Sequence, residues 1–486
     1  MSITKRIVLV VALVIAGAAG LHAQSDIVID DIEIEIDGRT RQWIIEEELT
    51  LEVGQRFTST AELEAAVGRQ EQDLRNLRQF AEVTATTELD TTQSPARASI
   101  RIAVRDTLNM IVLPYVQYDS NTGLLLSLRG RDYNFFGTLT ELELDFDYEQ
   151  VDNDDDITSV KLEFEAPFRA FDRSWIASST QDFSWESGDF SYEGSAGIGY
   201  DLPLGAETLR LGVEQGYTLI DDQNDAKDEQ YLINTFSAQS EIELWQLNNQ
   251  LRSVRYTPLV RTSVRYWPES GGQGPIDEGL EPGFDQELIA GTADWIGNYR
   301  SGLTLTLENE NSYFISDTRY EGEIKASAAA FVPLLVRSDN RPRAGVSAQL
   351  TSFYLLNGAE PDQDDAGEFA RGVVDDSVNG DLGFALNTDV AITVFYIDRF
   401  AEGQLSLFAD SAYVADTRDD FSAQTSADDY EPLRFGIGVE AIGFPLFARS
   451  LYLRLSFGTD LVNILEGGDP LDSNSREIFF GLGHFY

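Results

Sequence analysis

Thr140-Glu141-Leu142-Glu143-Leu144-Asp145-Phe146-Asp147-Tyr148-Glu149-Gln150 decides the fold, because Leu142, Leu144, Phe146 and Tyr148 alternate strictly with five carboxylates. On a helix this spacing would smear the charges around the axis. On a strand, where successive side chains point to opposite faces, it builds one apolar wall and one acidic wall. The same period recurs at Val160 to Ala166, Leu303 to Leu307, Phe435 to Ala441 and Leu451 to Phe457, close to the end of the chain.

No stretch after residue 24 holds the run of about 18 apolar residues that marks a spanning helix. A closed barrel is then the one way for this chain to cross a membrane, since it satisfies every backbone N–H and C=O between strands. In a soluble surface sandwich the apolar rows would point into a core. In a barrel they meet lipid while the acidic rows line a wet lumen. The expected fold is therefore mainly β, a transmembrane antiparallel β-barrel over residues 110–486, with a small α+β domain ahead of it. From Tyr115 onward the length accommodates roughly 16 strands, an even number, at about 23 residues per strand and connection.

Acidic stretches rich in Gly or Asn punctuate the strands at Asp152 to Asp156, Asp221 to Asp228, Gly271 to Asp285, Asn357 to Gly380 and Asp416 to Asp429. Long loops alternating with short turns match the asymmetry of an outer-membrane barrel, whose long loops lie outside.

At the N-terminus, Lys5 and Arg6 precede an apolar run from Ile7 to Leu21, followed by Leu21-His22-Ala23. This reads as a signal peptide over residues 1–23, its core too short for an anchor. With 0 Cys in the chain, a lipid-modified N-terminus, disulfides and thiolate metal sites are excluded. The formal charge of -48 argues against nucleic acid as a partner, because phosphates need a basic surface. That acidity fits a soluble or salt-adapted surface as well as acidic cell-surface loops.

Residues 24–107 mix periods. Ile27 to Ile36 alternates as a strand before Asp37-Gly38, Arg41 to Leu49 and Thr60 to Leu77 read as helices, and strands Glu82 to Leu89 and Ala98 to Val104 flank a Ser94-Pro95 turn. That order, with Glu48-Leu49, Val53-Gly54 and Leu74-Arg75-Asn76-Leu77-Arg78-Gln79-Phe80-Ala81-Glu82-Val83, resembles one POTRA domain. The barrel resembles that of the BamA/TamA superfamily of outer-membrane assembly and secretion proteins, through four short stretches.

The first is Asp132-Tyr133-Asn134-Phe135-Phe136-Gly137-Thr138, similar to the Asn-Phe-Leu-Gly-Thr stretch near the family's first strands; Asp132, Asn134, Phe136 and Gly137 are its candidate residues. An ordinary hairpin is the bland alternative. The second, Ala370-Arg371-Gly372-Val373, resembles the family's Val-Arg-Gly-Phe or Val-Arg-Gly-Tyr loop motif, although Ala370 and Val373 depart from it. The third, Phe408-Ala409-Asp410-Ser411-Ala412, resembles Phe-x-Asp-x-Gly with Ala412 in place of glycine. The resemblance implies that Arg371, beside Gly372, folds into the lumen and pairs with Asp410 as a lock. Independently of the family, a guanidinium inserted among carboxylates gains partners, and its removal leaves like charges facing one another. The fourth stretch is the terminus, where Ile478, Phe480, Leu482 and Tyr486 share one face of a last strand. Phe480, Leu482 and Tyr486 are the expected assembly signal.

Catalysis has little to stand on. Only His22 and His484 are present, and no Ser-His-Asp set, nucleophile elbow or glycine-rich phosphate loop occurs. Asp152 to Asp156 offers oxygen ligands for Ca²⁺ but lacks the glycine and distal glutamate of an EF-hand, so a plain acidic loop is favoured and no cofactor is expected. The chain is expected to be no enzyme. The resemblance implies a barrel in the bacterial outer membrane, with its N-terminal domain in the periplasm, that assists insertion or passage of client polypeptides. Its implied partners are the lipid bilayer, unfolded clients and accessory periplasmic proteins. The alternative is a porin-like, cation-selective channel with a periplasmic adaptor.

Overall fold

The structure, a computed structural model, describes residues 27–486 except 120–122, 151–155, 187–188, 205–206, 222–228, 247–252, 268–277, 317, 337–340, 357–363, 366–368, 374–378, 416–432, 466, 468–475 and 483–486. The signal-peptide stretch, Tyr486 and most of the acidic loop segments lie outside the described residues.

The N-terminal sheet is built from β1 (Ile27–Asp37), β2 (Arg56–Phe57), β3 (Phe80–Asp90) and β4 (Ala96–Asp106) in the order β2-β1-β4-β3. β1 runs parallel to β4, and β3 antiparallel to it. Two helices, α1 (Gln42–Glu47) and α2 (Thr60–Asn76), join β1 to β3. Helix α2 starts where Ser59 accepts from the Glu62 N–H at 3.2 Å and the Glu62 carboxylate takes the Thr58 N–H at 2.8 Å. That reciprocal cap satisfies donors a helix start leaves open. Its apolar face, Leu63, Val67 and Leu74, packs on Ile27, Ile29, Ile100 and Ile102 to form the larger of two apolar cores among the described residues.

The barrel begins with β5 (Met110–Asp119), β6 (Gly123–Asp132), β7 (Leu142–Gln150), β8 (Ile157–Ala170), β9 (Arg173–Glu186), β10 (Asp189–Leu204) and β11 (Glu207–Asp221). It continues through β12 (Glu229–Ser240), β13 (Ile242–Gln246), β14 (Ser253–Tyr266), β15 (Gly279–Ile296), β16 (Tyr299–Phe314), β17 (Arg319–Leu334) and β18 (Ala344–Leu356). A two-stranded ladder in the next loop, β19 (Asp364–Asp365) and β20 (Asn379–Gly380), precedes β21 (Leu382–Ile397), β22 (Ala401–Ala415), β23 (Leu433–Pro445), β24 (Leu453–Asp460), a short helix α3 (Leu461–Leu465) and β25 (Arg476–Leu482). Nineteen of these strands form one closed antiparallel cylinder in which β25 stands next to β5.

Because β12 and β13 both pair with β14, end to end, they make one interrupted stave, and the wall has eighteen staves among the described residues. The number is even, as expected, but exceeds the 16 read from spacing. Tight turns account for the difference. Phe171 and Asp172 join β8 to β9 with φ of 57° and 58°, the geometry that usually demands Gly or Asn and so announces itself in sequence. The stretch expected as a loop from Gly271 is also shorter, since Gly279 to Asp285 pairs with β14. Arg261 across the pair holds Asp285 at 2.7 Å and Glu281 at 3.2 Å.

The alternation places polar side chains inside and apolar ones outside. On β22 Glu402, Gln404, Ser406 and Asp410 are buried while Leu405 and Leu407 are exposed. On β7 Phe146 and Tyr148 face out, and Asp145 is buried against Arg131. A belt of exposed Leu, Val, Ile and Phe around a polar interior suits hydrocarbon and would be a liability in water. Among the described residues no helix is long and apolar enough to cross a membrane.

The N-terminal sheet sits across one mouth of the barrel, here called the proximal mouth. Arg169 in the β8–β9 hairpin holds Glu47 at 3.0 Å. Gln72 and Asn76 bond Trp295 and Asp294 at the end of β15. Thr107 and Arg78 bond the carbonyls of Phe447 and Arg449 between β23 and β24. Contacts so widely spread around the ring place the sheet over the lumen rather than beside it.

Candidate functional site

The loop after β18 folds back into the lumen, and its tip, Ala370 to Val373, is buried. The Arg371 guanidinium, 2% exposed, donates to Asp410 from Nε at 2.8 Å and Nη2 at 3.0 Å, and to Asp389 from Nη1 at 3.0 Å and Nη2 at 3.1 Å. Asp389 comes from the inward row of β21, Asp410 from β22. A third carboxylate, Glu440 on β23, lies 3.5 Å away and is held at 2.6 Å by Arg454 of β24. The Phe408 ring lies under the guanidinium at 4.1 Å. Paired charge-assisted bonds of this kind hold a planar fork in one orientation, and they repay burial only while every partner stays.

Backbone geometry brings the tip this close. Gly372 has φ +85°, and a Cβ there would stand 2.6 Å from the Thr459 nitrogen. On the facing wall Gly436 leaves room for the Arg371 carbonyl, which any side chain would overlap. The Gly372 N–H donates to the Glu477 carboxylate of β25. Ala370 and Val373, the two departures from the motif, are both wholly buried with Phe353, Ala385, Ala412 and Val414. Phe369 stacks on Phe353 at 5.1 Å. Small side chains suit this crowded pocket, and Ala412, standing where the motif has glycine, is part of it.

Sequence reasoning put Arg371 and Asp410 together but missed Asp389, Glu440, Arg454 and Glu477. Their only mark is being lone charges on the polar side of an alternating strand, which 83 acids make common.

The stretch Asp132 to Thr138 follows the second barrel strand and binds the N-terminal sheet. Arg39 holds Asp132 at 2.7 Å. Buried Asn134 donates to Thr40 at 2.8 Å and accepts from the Leu139 N–H at 2.9 Å. Asp106 gathers the Arg39 N–H, the Thr40 hydroxyl and Asn134. The Arg41 N–H donates to the Gly137 carbonyl at 2.9 Å, while Phe136 is exposed. The motif is thus one side of the junction between sheet and barrel, a role its spacing alone does not announce.

Phe480 points outward on β25, where it is 41% exposed; Leu482 ends that strand, and Tyr486 is outside the described residues. Of the Asp152 to Asp156 stretch only Asp156 is described, accepting from the Tyr148 hydroxyl at 2.6 Å. Among the described residues no group of three or more His, Asp or Glu is gathered as for a metal ion.

No protein-family model matches the chain, and no curated protein matches it. Solved structures do. CdiB from Acinetobacter baumannii is 14% identical, with a TM-score of 0.50 over 94% of this chain and 73% of that one. BamA from Haemophilus ducreyi lacking POTRA domains 1-3 is 13% identical, with a TM-score of 0.42 over 94% and 85%. CdiB from Escherichia coli is 11% identical, with a TM-score of 0.40 over 96% and 92%. At such identity the likeness to the Acinetobacter protein shows a shared fold.

Proposed function

We propose that this chain is an outer-membrane barrel that assists insertion of β-barrel proteins into, or passage of polypeptides across, the outer membrane. Its N-terminal sheet is read as a POTRA-like periplasmic domain, and it carries no catalysis of its own. The observation that carries this reading is the obstructed lumen: an arginine-tipped loop is pinned inside it against one arc of the wall by Asp410 and Asp389, and the N-terminal sheet covers the proximal mouth. A passive pore has no use for two obstructions. The fold shared with CdiB and the four motif resemblances support it further.

In this reading the open edge of β3 takes an extended client by strand addition, which demands little of the client's sequence. The seam where β25 stands beside β5 is the place for lateral opening. Depleting the protein from its cell tests the proposal: outer-membrane proteins and surface-exposed polypeptides should fall, and unchanged levels of both would sink it.

The acidic lumen favours one competing reading, a cation-selective channel. Planar-bilayer recording separates the two. A stable cation-selective open pore supports the channel, whereas small fluctuating conductance that grows when 357–380 is deleted supports the obstructed assembly barrel.

A further inference from the structure

In a chain of 35 basic against 83 acidic residues, guanidiniums gather at the proximal mouth. Arg78, between α2 and β3, and Arg300 of β16 lie 4.2 Å and 5.6 Å from the centre of the Trp295 ring, and Arg300 lies 4.4 Å from that of Phe331. Arg341 and Arg343 stack on Tyr396 at 4.8 Å and 5.7 Å. Arg449 completes the ring, exposed and close enough to repel its neighbours: burial and the Arg449 charge push the Arg78 guanidinium down to about 10.

The carboxylate that faces this ring from the lumen is Glu402. Asn298 at 2.9 Å, Thr393 at 2.9 Å and Gln404 at 3.2 Å hydrogen-bond it, and its single charge offsets one of the guanidiniums and leaves the rest in excess. Meanwhile the Nε atoms of Arg300 and Arg343 are buried without a hydrogen-bond partner. A buried donor left unpaired costs free energy, so this cluster is poised for an added acceptor.

Register says from which side the acceptor arrives. Tyr396 pairs with Glu402, whose side chain is in the lumen, and Arg343 precedes the inward row of Gly345 and Ser347. The lipid-facing row here is Val332, Leu334, Phe395 and Ile397. Arg343 and the Tyr396 ring it stacks on therefore look into the mouth and not at the bilayer. Behind them a cavity of about 90 Å³, walled by Trp295, Tyr299, Phe331 and Ile442, ends at Arg371. It admits a side chain and no folded domain. Deeper in, Arg371 and Arg454 are already paired with Asp389, Asp410 and Glu440, so an acidic occupant is held at the threshold.

We infer that the proximal mouth binds an extended, Asp- and Glu-rich polypeptide segment, gripped by Arg78, Arg300, Arg343 and Arg449. Guanidiniums suit this task because they take carboxylates in paired bonds, and several placed round one opening select several carboxylates. The inference names a client feature and rests on the proposed function for the word client alone.

The test uses the full chain in nanodiscs of zwitterionic lipid and a short fluorescein-labelled peptide alternating Glu and Ser, read by anisotropy. The Glu peptide should bind and its Lys counterpart should not. Added salt should weaken binding. Arg449→Gln, on an exposed side chain, should lower affinity, and Arg343→Gln with Arg449→Gln should lower it by on the order of tenfold or more. Heat-dependent gel migration checks that both variants are folded. Equal affinity in the folded double variant, or equal binding of the Lys peptide, would overturn the inference. So would competition by inorganic phosphate as strong, charge for charge, as the peptide's own binding, or binding that appears only with anionic vesicles. Persistent peptide binding in a protein whose depletion harms nothing removes the assembly reading alone. Absent binding in a protein whose depletion does harm removes this inference alone.

Discussion

The backbone N–H of Gly372 donates to the carboxylate of Glu477, so the loop that enters the lumen is tied to the last strand of the barrel. Through Arg371 the same tip is tied to β21 and β22, and through Glu440 and Arg454 to β23 and β24. Five consecutive staves thus share one loop tip, and the last of them borders the seam.

Glu477→Ala should loosen the end of that chain without collapsing it. Hydrogen exchange of β25 amides is expected to quicken while β21 and β22 amides keep their protection, because the Arg371 contacts remain. Unchanged exchange in β25 would mean that the Glu477 contact does not restrain the seam.

Arg371→Glu removes the one cation shared by Asp389 and Asp410 and puts a fourth carboxylate beside Asp389, Asp410 and Glu440. Breaking a buried pair costs about 3–5 kcal/mol, so the temperature at which heat-dependent migration is lost should drop sharply. Arg371→Lys should recover part of it, since a point charge cannot form both forks. An unaltered melting temperature in Arg371→Glu would rule out a lock.

Asn134→Ala leaves Thr40 and Asp106 facing a gap at the junction of sheet and barrel. A lost buried partner costs about 1–3 kcal/mol, enough to free the sheet from the mouth for part of the time. Bilayer recordings should then show larger and more frequent conductance steps than the parent protein. Identical traces would mean that the sheet does not obstruct the mouth.

Glu141, in the turn just before β7, is held by burial first and by the Glu143 charge second at about 7, with Arg131 opposing. An acid whose folded value lies above its unfolded value of about 4.3 binds its proton more tightly when folded. Stability from this group is therefore present at low pH and lost as pH rises through about 7. Glu141→Gln should raise the melting temperature near pH 8 and flatten the profile between about pH 5 and pH 8. A variant that keeps the parent's profile would show that another group sets it.

Arg131 and Asp145 show how far a one-dimensional pattern reaches. Strict alternation around Asp145 tells which side chains share a wall, because the period of a strand is two and needs no tertiary knowledge. It also tells that a wall of Leu142, Leu144, Phe146 and Tyr148 must meet something apolar. The helix over residues 60–77 and the strands around it were legible for the same reason, and the helix begins at Thr60 with Ser59 as its cap. The stave count was not, since Phe171-Asp172 turns the chain at positive φ with neither glycine nor asparagine.

What the amino-acid order determined by itself was local: which residues alternate, where the period changes from two to 3.6, and that Arg371 and Asp410 sit in motifs of a recognisable kind. What only the tertiary structure decided was convergence. Asp389, Glu440, Arg454 and Glu477 meet the loop tip because closure of the cylinder brings inward rows of strands far apart in the chain around one axis. Arg78, Arg300, Arg343 and Arg449 gather for the same reason at its mouth. Periodicity specifies a face, but register and closure specify a neighbour, and only neighbours share charge.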